Sequence, residues 1–151
     1  MGRLRQSLQG KKVYLDANIF IYSVEMVAPW AEESNDIFAG LKAGEFSVTT
    51  SNLTLSECLV KPFKENRLDL AKVYRQVLSP RPHLNIASIN DDILIFSANV
   101  RAKYNLKTPD AIHAATALTQ KCTVMLTNDA GFKRVPNIDV FLLSDWITQP
   151  C

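Results

Sequence analysis

Four acidic residues stand where a charge is hard to accommodate, and each is of a type that holds a hard cation or moves a proton. Asp16 closes the apolar run "KVYLD", and the chain then continues apolar through "ANIFIY". Glu57 lies in "LTLSECLVKPF", sharing a helical face with Leu53 and Val60 and flanked by Leu55, Cys58 and Leu59. Asp110 opens "TPDAIHAATALTQK", which has no other formal charge from Ala111 to Gln120. Asp129 follows "VMLTN". Each acid has an ordinary explanation. Asp16 can cap a helix, Asp110 can sit favourably in a first helical turn, Asp129 can form a turn, and Glu57 can lie at a solvent edge or pair with a lysine. No single capping rule explains one acid at each of four converging element ends.

If the four converge, charge dictates the chemistry. A buried carboxylate costs several kcal/mol unless it is paired or bound to a metal. Two carboxylates about 5 Å apart repel by about 3 kcal/mol at an effective dielectric of 20. Four ionised acids at such range need a cation. Oxygen donors alone, with no Cys or His required, suit Mg²⁺ or Mn²⁺. Such ions activate water and neutralise developing charge in phosphodiester hydrolysis.

The elements that must position these acids alternate. "KVYLD" reads as a strand and "ANIFIYSVE" as a helix. "PWAEESNDIFAGLKAG" is a helix with Pro29 near its start and Gly44 as its stop. "FSVTT" is a second strand, and Ser51 or Asn52 can cap the helix that carries Glu57. A helix over roughly 65–78 has Leu68, Ala71, Val73 and Val77 as its apolar positions. "HLNIAS" is a short extended piece, and "NDDILIFSANVRAKYN" is a helix. Thr108 as N-cap with Pro109 at N1 begins the Asp110 helix. "CTVMLTND" and "DVFLL" are the last strands. The alternation predicts a mostly parallel sheet with helices on both faces, with chemistry beyond the carboxyl ends of the strands. Asp16 and Asp129 then share one edge of that sheet. His113 projects from the same face of its helix as Asp110, and reads as a packed, hydrogen-bonded core residue in preference to a base. Tyr14, Trp30 and Trp146 read as core or interface.

The totals narrow the classes. The 151 residues, 47% of them hydrophobic, suit one domain with a real core. No apolar run reaches the roughly 20 residues of a membrane span, and "MGRLRQSLQGKK" has no apolar core of a secretory signal. The three cysteines form no CxxC pair and the two histidines lie far apart. A zinc site and a disulfide framework are therefore disfavoured, and a cytoplasmic location is expected. Cys58 and Cys122 read as small core residues and Cys151 as an untidy tail. There is no glycine-rich nucleotide cradle. Residues 61–81 carry six basic groups against two acids, and the first twelve residues carry four basic groups and no acid. Such bias fits contact with a polyanion, and fits a solvated helix face equally well. Lys61, Lys64, Arg67, Arg101, Lys103 and Lys107 are the candidates for phosphate contacts. Residues 1–11 are expected to form a flexible basic segment before a single domain.

The motifs "LDAN", "LTLSECLVKP", "TPDAIHAATAL" and "LTNDAGF", in this order and on these elements, resemble the PIN-domain family of metal-dependent ribonucleases. The resemblance runs from about Lys12 to Leu143. It implies a three-layer α/β/α sandwich with a mostly parallel central sheet and an acidic metal pocket. Asp16, Glu57, Asp110 and Asp129 would be its metal-binding and catalytic acids. Asn18 and Thr127 would be supporting polar residues, and Asn128 either supports the site or shapes the turn. Many small single-domain members are toxins of toxin–antitoxin pairs, the VapC type. That implies a homodimer, an antitoxin partner and a structured RNA substrate such as tRNA or rRNA. Competing expectations are a nuclease of RNA maturation or repair and a non-catalytic binding module on the same fold. A receiver or aspartyl phosphatase is disfavoured, because "LDAN" offers neither paired acids nor a DxD.

Overall fold

Strands buried on both faces read as near-continuous apolar runs, and the central strands Lys12–Leu15 and Val124–Thr127 follow that rule, whereas Ser47–Ser51 is buried with three hydroxyl side chains paired or packed inside. In the computed structural model, which describes residues 2–147, β1 (Lys12–Leu15), β2 (Ser47–Ser51), β3 (Leu84–Ala87), β4 (Val124–Thr127) and β5 (Asp139–Leu142) form one sheet. The order is β3-β2-β1-β4-β5, and every pairing is parallel. Chain order therefore reverses between β1 and β4. At such a switch point the connections leave in opposite directions and open a crevice beyond the strand ends. Registration of Leu15 with Leu126 and a hydrogen bond from the Asp16 N–H to the Leu126 carbonyl (3.1 Å) fix the two strand ends side by side.

The period of two along each strand builds the layers. Val13, Leu15, Val48, Val124 and Leu126 join one core with residues of α1 (Arg3–Ser7), α2 (Ala17–Val24), α3 (Ala31–Lys42), α4 (Asn52–Lys64) and α5 (Leu68–Val77). Tyr14 and Met125 point the other way, into a second core with α6 (Asp91–Tyr104) and α7 (Thr108–Thr119). The result is an α/β fold with a five-stranded, all-parallel sheet and seven helices among the described residues.

Three expectations are corrected. Within the expected segment 1–11, the described residues are not a free tail: residues 3–7 form α1, with Leu4 and Leu8 fully buried. Arg5 reaches Asp36 (3.0 Å) and Glu45 (2.6 Å), and the Arg3 guanidinium lies over the Trp146 ring. The basic character of the segment masked two leucines at helical spacing. In α5 the buried positions are Leu70, Ala71 and Tyr74, while Leu68 and Val73 are exposed. The helix starts at Leu68, later than expected, and Tyr74 supplies the large core side chain. Thr108 is the first helical residue of α7, with Lys107 in the cap position and no capping side chain. Cys58 and Cys122 are buried thiols, as expected, whereas Cys151 lies outside the described residues.

Candidate active site

Asp16 follows β1 directly and is the N-cap of α2. Its Oδ1 accepts from the Ala17 N–H (2.7 Å), so the ordinary capping role is real. The cap does not exhaust it. Asp16 is only 7% exposed, and its Oδ2 accepts from the Thr127 hydroxyl at the end of β4 (2.7 Å). That same Thr127 oxygen accepts the N–H of Asp129 (3.0 Å). Thr127 thus ties the two acids across the switch point. Burial raises the Asp16 carboxyl above the usual range, against the lowering effects of His113, Thr127 and the Ala17 amide.

Asp129 is exposed and caps the short 3₁₀ turn Ala130–Arg134, its Oδ1 accepting from the Gly131 N–H (2.8 Å). Asn128 shapes this corner: its side chain donates to the Tyr22 hydroxyl (3.3 Å) and accepts from the Ser144 N–H (2.9 Å). Asn18 is half-buried in the first turn of α2.

Asp110 lies in the first turn of α7, a helix whose residues Ala111 to Ala117 are all buried. The alanines at 111, 114 and 117 admit the sheet and α6 closely. Asp110 itself is half-exposed. Burial raises its carboxyl first, followed by the negative charges of Asp129 and Asp16 and, more weakly, Glu57, with His113 opposing. Asp110 thus lies near enough to the other three acids for their charge to raise it.

Glu57 projects from the middle of α4, which begins at once after β2 because the Ser51 hydroxyl caps it, accepting from the Leu53 N–H (3.0 Å). Its partner is His113: Nε2 lies 2.5 Å from Oε1 of Glu57 and 3.9 Å from Oδ1 of Asp16. Nδ1 of the same fully buried ring lies 2.5 Å from the Tyr14 hydroxyl. Burial lowers the His113 pKa, but the Glu57 hydrogen bond and the charges of Asp16, Glu57 and Asp110 outweigh it and hold it above its ordinary value. Reading His113 and Tyr14 as packed core residues is correct for their burial, yet the sequence reading gave neither a link to Glu57. The spacing of three between Asp110 and His113 was the available signal.

Among the described residues, no three His, Cys, Asp or Glu donors are closed into a ready-made metal cage. The donor set nevertheless fits a hard cation. Asp16 and Glu57 both approach His113, Asp16 shares Thr127 with the Asp129 backbone, and carboxylate oxygens are the donors that Mg²⁺ or Mn²⁺ takes. Of the basic candidates, Lys61 is ion-paired with Glu25 (2.7 Å) and Arg67 is held by both oxygens of Asp69 (3.0 Å each). The Arg101 Nε donates to the Leu106 carbonyl (3.2 Å). Lys64, Lys103 and Lys107 are exposed.

An all-parallel sheet whose chain order reverses between β1 and β4, with Asp16 and Asp129 just beyond those two strands, defines the α/β domain. The PIN domain family matches residues 13–138, and the chain belongs to that family. Solved structures share the fold. One is a toxin–antitoxin complex from Klebsiella pneumoniae, 27% identical, with a TM-score of 0.64, covering 87% of this chain and 97% of that one. Another is DNA-bound VapBC from Salmonella typhimurium, 19% identical, with a TM-score of 0.68, covering 88% and 98%. A third is Mycobacterium tuberculosis VapC20, a sarcin-ricin loop cleaving toxin, 14% identical, with a TM-score of 0.69, covering 85% and 98%. A search of curated protein sequences yields no match. No helix among the described residues is long and apolar enough to cross a membrane.

Proposed function

We propose that the chain is a Mg²⁺- or Mn²⁺-dependent endoribonuclease and the toxin of a toxin–antitoxin pair. One observation carries the catalytic part. Asp16, Glu57, Asp110 and Asp129 come from four separate segments that contacts draw together: Thr127 bonds both Asp16 and the Asp129 N–H, and His113, one turn after Asp110, lies 2.5 Å from Glu57 and 3.9 Å from Asp16. Membership of the PIN family and the toxin–antitoxin complexes among its structural neighbours support the biological part.

Asp16, Glu57 and Asp110 would hold the ion, directly or through water, with Asp129 completing the set. The ion supplies charge neutralisation at the scissile phosphate and a lower pKa for an attacking water. The chain's own part is positioning. The Ala17 amide and the Thr127 hydroxyl keep both Asp16 oxygens fixed, so that no rotamer search precedes binding. Asp129 is held against the same threonine. Water forms the new bond to phosphorus as the P–O3′ bond breaks, a proton of the water passes to a pocket carboxylate, and the departing O3′ takes a proton from solvent. The products carry 5′-phosphate and 3′-hydroxyl ends.

Lys64, Arg101, Lys103 and Lys107 are the better phosphate contacts, because Lys61 and Arg67 already have acidic partners. A structured RNA, tRNA or rRNA, is the proposed substrate. A homodimer and a cognate antitoxin are the proposed assemblies. Apolar side chains left open on the α4–α5 side and just after α2 (Phe63, Leu68, Val73, Met26) supply area for a partner of that kind. The test is cleavage of a structured RNA with Mn²⁺ and with chelator, followed by end-group analysis. Metal-dependent cleavage with 5′-phosphate ends is expected, and a 2′,3′-cyclic phosphate would sink the mechanism.

A further inference from the structure

We propose that His113 is a positioning residue, which locks the Glu57 carboxylate at the rim of the acidic crevice through a hydrogen-bonded chain anchored on Tyr14. The inference rests on the reading of Glu57 as a metal-binding acid. The chain runs from the Tyr14 hydroxyl to Nδ1 (2.5 Å) and from Nε2 to Oε1 of Glu57 (2.5 Å). It crosses β1, α7 and α4, and so joins the segments that carry Asp16, Asp110 and Glu57.

Several features set this ring apart from a histidine that merely fills space. His113 is fully buried one turn into α7, so its position is tied to that of Asp110 three residues before it. The ring meets Tyr14 edge-on at 5.7 Å between centroids, which fixes its plane as well as its place. Tyr14 is itself fully buried and points into the α6–α7 layer. Glu57, in contrast, is one-third exposed on a helix face, with three rotatable bonds and, among the described residues, no Lys or Arg paired with it. Among the described residues its Oε1 is bonded only to His113, and no hydrogen bond reaches Oε2. The histidine thus holds one oxygen and leaves the other for a cation. Because a carboxylate only accepts, Nε2 carries the hydrogen, and Nδ1 is paired with the Tyr14 hydroxyl. Partners of this kind behind a ligand are worth about 10–100-fold in metal affinity.

The experiment measures Mn²⁺ affinity by electron paramagnetic resonance for wild type, Glu57→Gln, His113→Leu, His113→Gln and the Glu57→Gln/His113→Leu double variant, with folding checked by circular dichroism. We expect His113→Leu to weaken Mn²⁺ binding about 10–100-fold. His113→Gln keeps an amide donor and should recover most of that loss. In the Glu57→Gln background, His113→Leu should change affinity less than about threefold, because the two act as one unit. Full Mn²⁺ affinity in His113→Leu, with Glu57→Gln weakened, overturns the positioning role and leaves the nuclease reading standing. An undiminished effect of His113→Leu in the Glu57→Gln background overturns it too. Wild-type protein that binds no Mn²⁺ overturns both. Should His113→Leu not fold, ¹⁵N NMR of the wild-type imidazole decides: a protonated Nε2 is expected, and a bare Nε2 refutes the proposal.

Discussion

Replacing Asp16 by Asn separates its role as a cap from its proposed role as a metal ligand. Asn can keep both contacts that the aspartate makes: its carbonyl accepts from the Ala17 N–H, and its amide donates to a reoriented Thr127 hydroxyl. Two charge-assisted hydrogen bonds become neutral ones, a loss of about 1 kcal/mol each. The removed charge compensates. A carboxylate pair about 5 Å apart repels by about 3 kcal/mol at an effective dielectric of 20, and solvent at the half-exposed Asp110 reduces that to about 1–2 kcal/mol. The metal-free variant should therefore lie within about 1 kcal/mol of wild type. Added Mn²⁺ breaks the tie. At 100 times its Kd a ligand stabilises the native state by about 2.7 kcal/mol. For a domain of this size that is a rise in Tm of about 5–10 °C. Differential scanning fluorimetry with and without Mn²⁺ should show this rise in wild type and less than about 2 °C in Asp16→Asn. Equal rises in both proteins would refute the ligand role. No rise in wild type would return Asp16 to a cap alone and favour a binding module over a nuclease.

Leu4→Ala should cost about 2–5 kcal/mol, because the side chain is fully buried under α3; a loss below about 0.5 kcal/mol in chemical denaturation would mean that the N-terminal segment is free after all. Burial pushes the Glu25 carboxyl up, but hydrogen bonds from Lys61 and Tyr74 outweigh it and hold it below the usual range. Its contribution is therefore complete above the unfolded carboxylate value of about 4.3 and disappears as the pH falls through the lower folded value. The Tm gap between wild type and Glu25→Gln should be full at neutral pH and close in acid; a gap independent of pH contradicts the pairing. Lys107→Ala should flatten the dependence of log affinity for RNA on log salt by roughly 0.7–0.9, whereas Arg67→Ala, whose partner is Asp69, should leave it unchanged. Equal slopes for all three proteins would remove Lys107 from the interface.

Much of the site was legible because its residues violate local expectation. Glu57 amid leucines, and Asp110 before an otherwise uncharged helix, are visible without coordinates, since burial of a charge is costly wherever it occurs. The element alternation was legible for a similar reason: strands buried on both faces and helices with one apolar stripe have different periods. Weak periodicity gave the errors. Residues 3–7 offered a single turn of helix with only two leucines to betray it, and α5 presented Leu68 and Val73 as plausibly as Leu70 and Tyr74.

By itself the sequence determined the α/β class with a mostly parallel sheet and the elements that carry the four candidate acids, since these follow from the pattern within each short segment. Only the tertiary structure decided that β1 lies beside β4. It also decided that Thr127 joins Asp16 to Asp129, and that Glu57 meets His113. Thr127 lies 111 residues from Asp16, and Glu57 lies 56 from His113. Contacts at such range depend on strand order and helix packing, which no local pattern specifies.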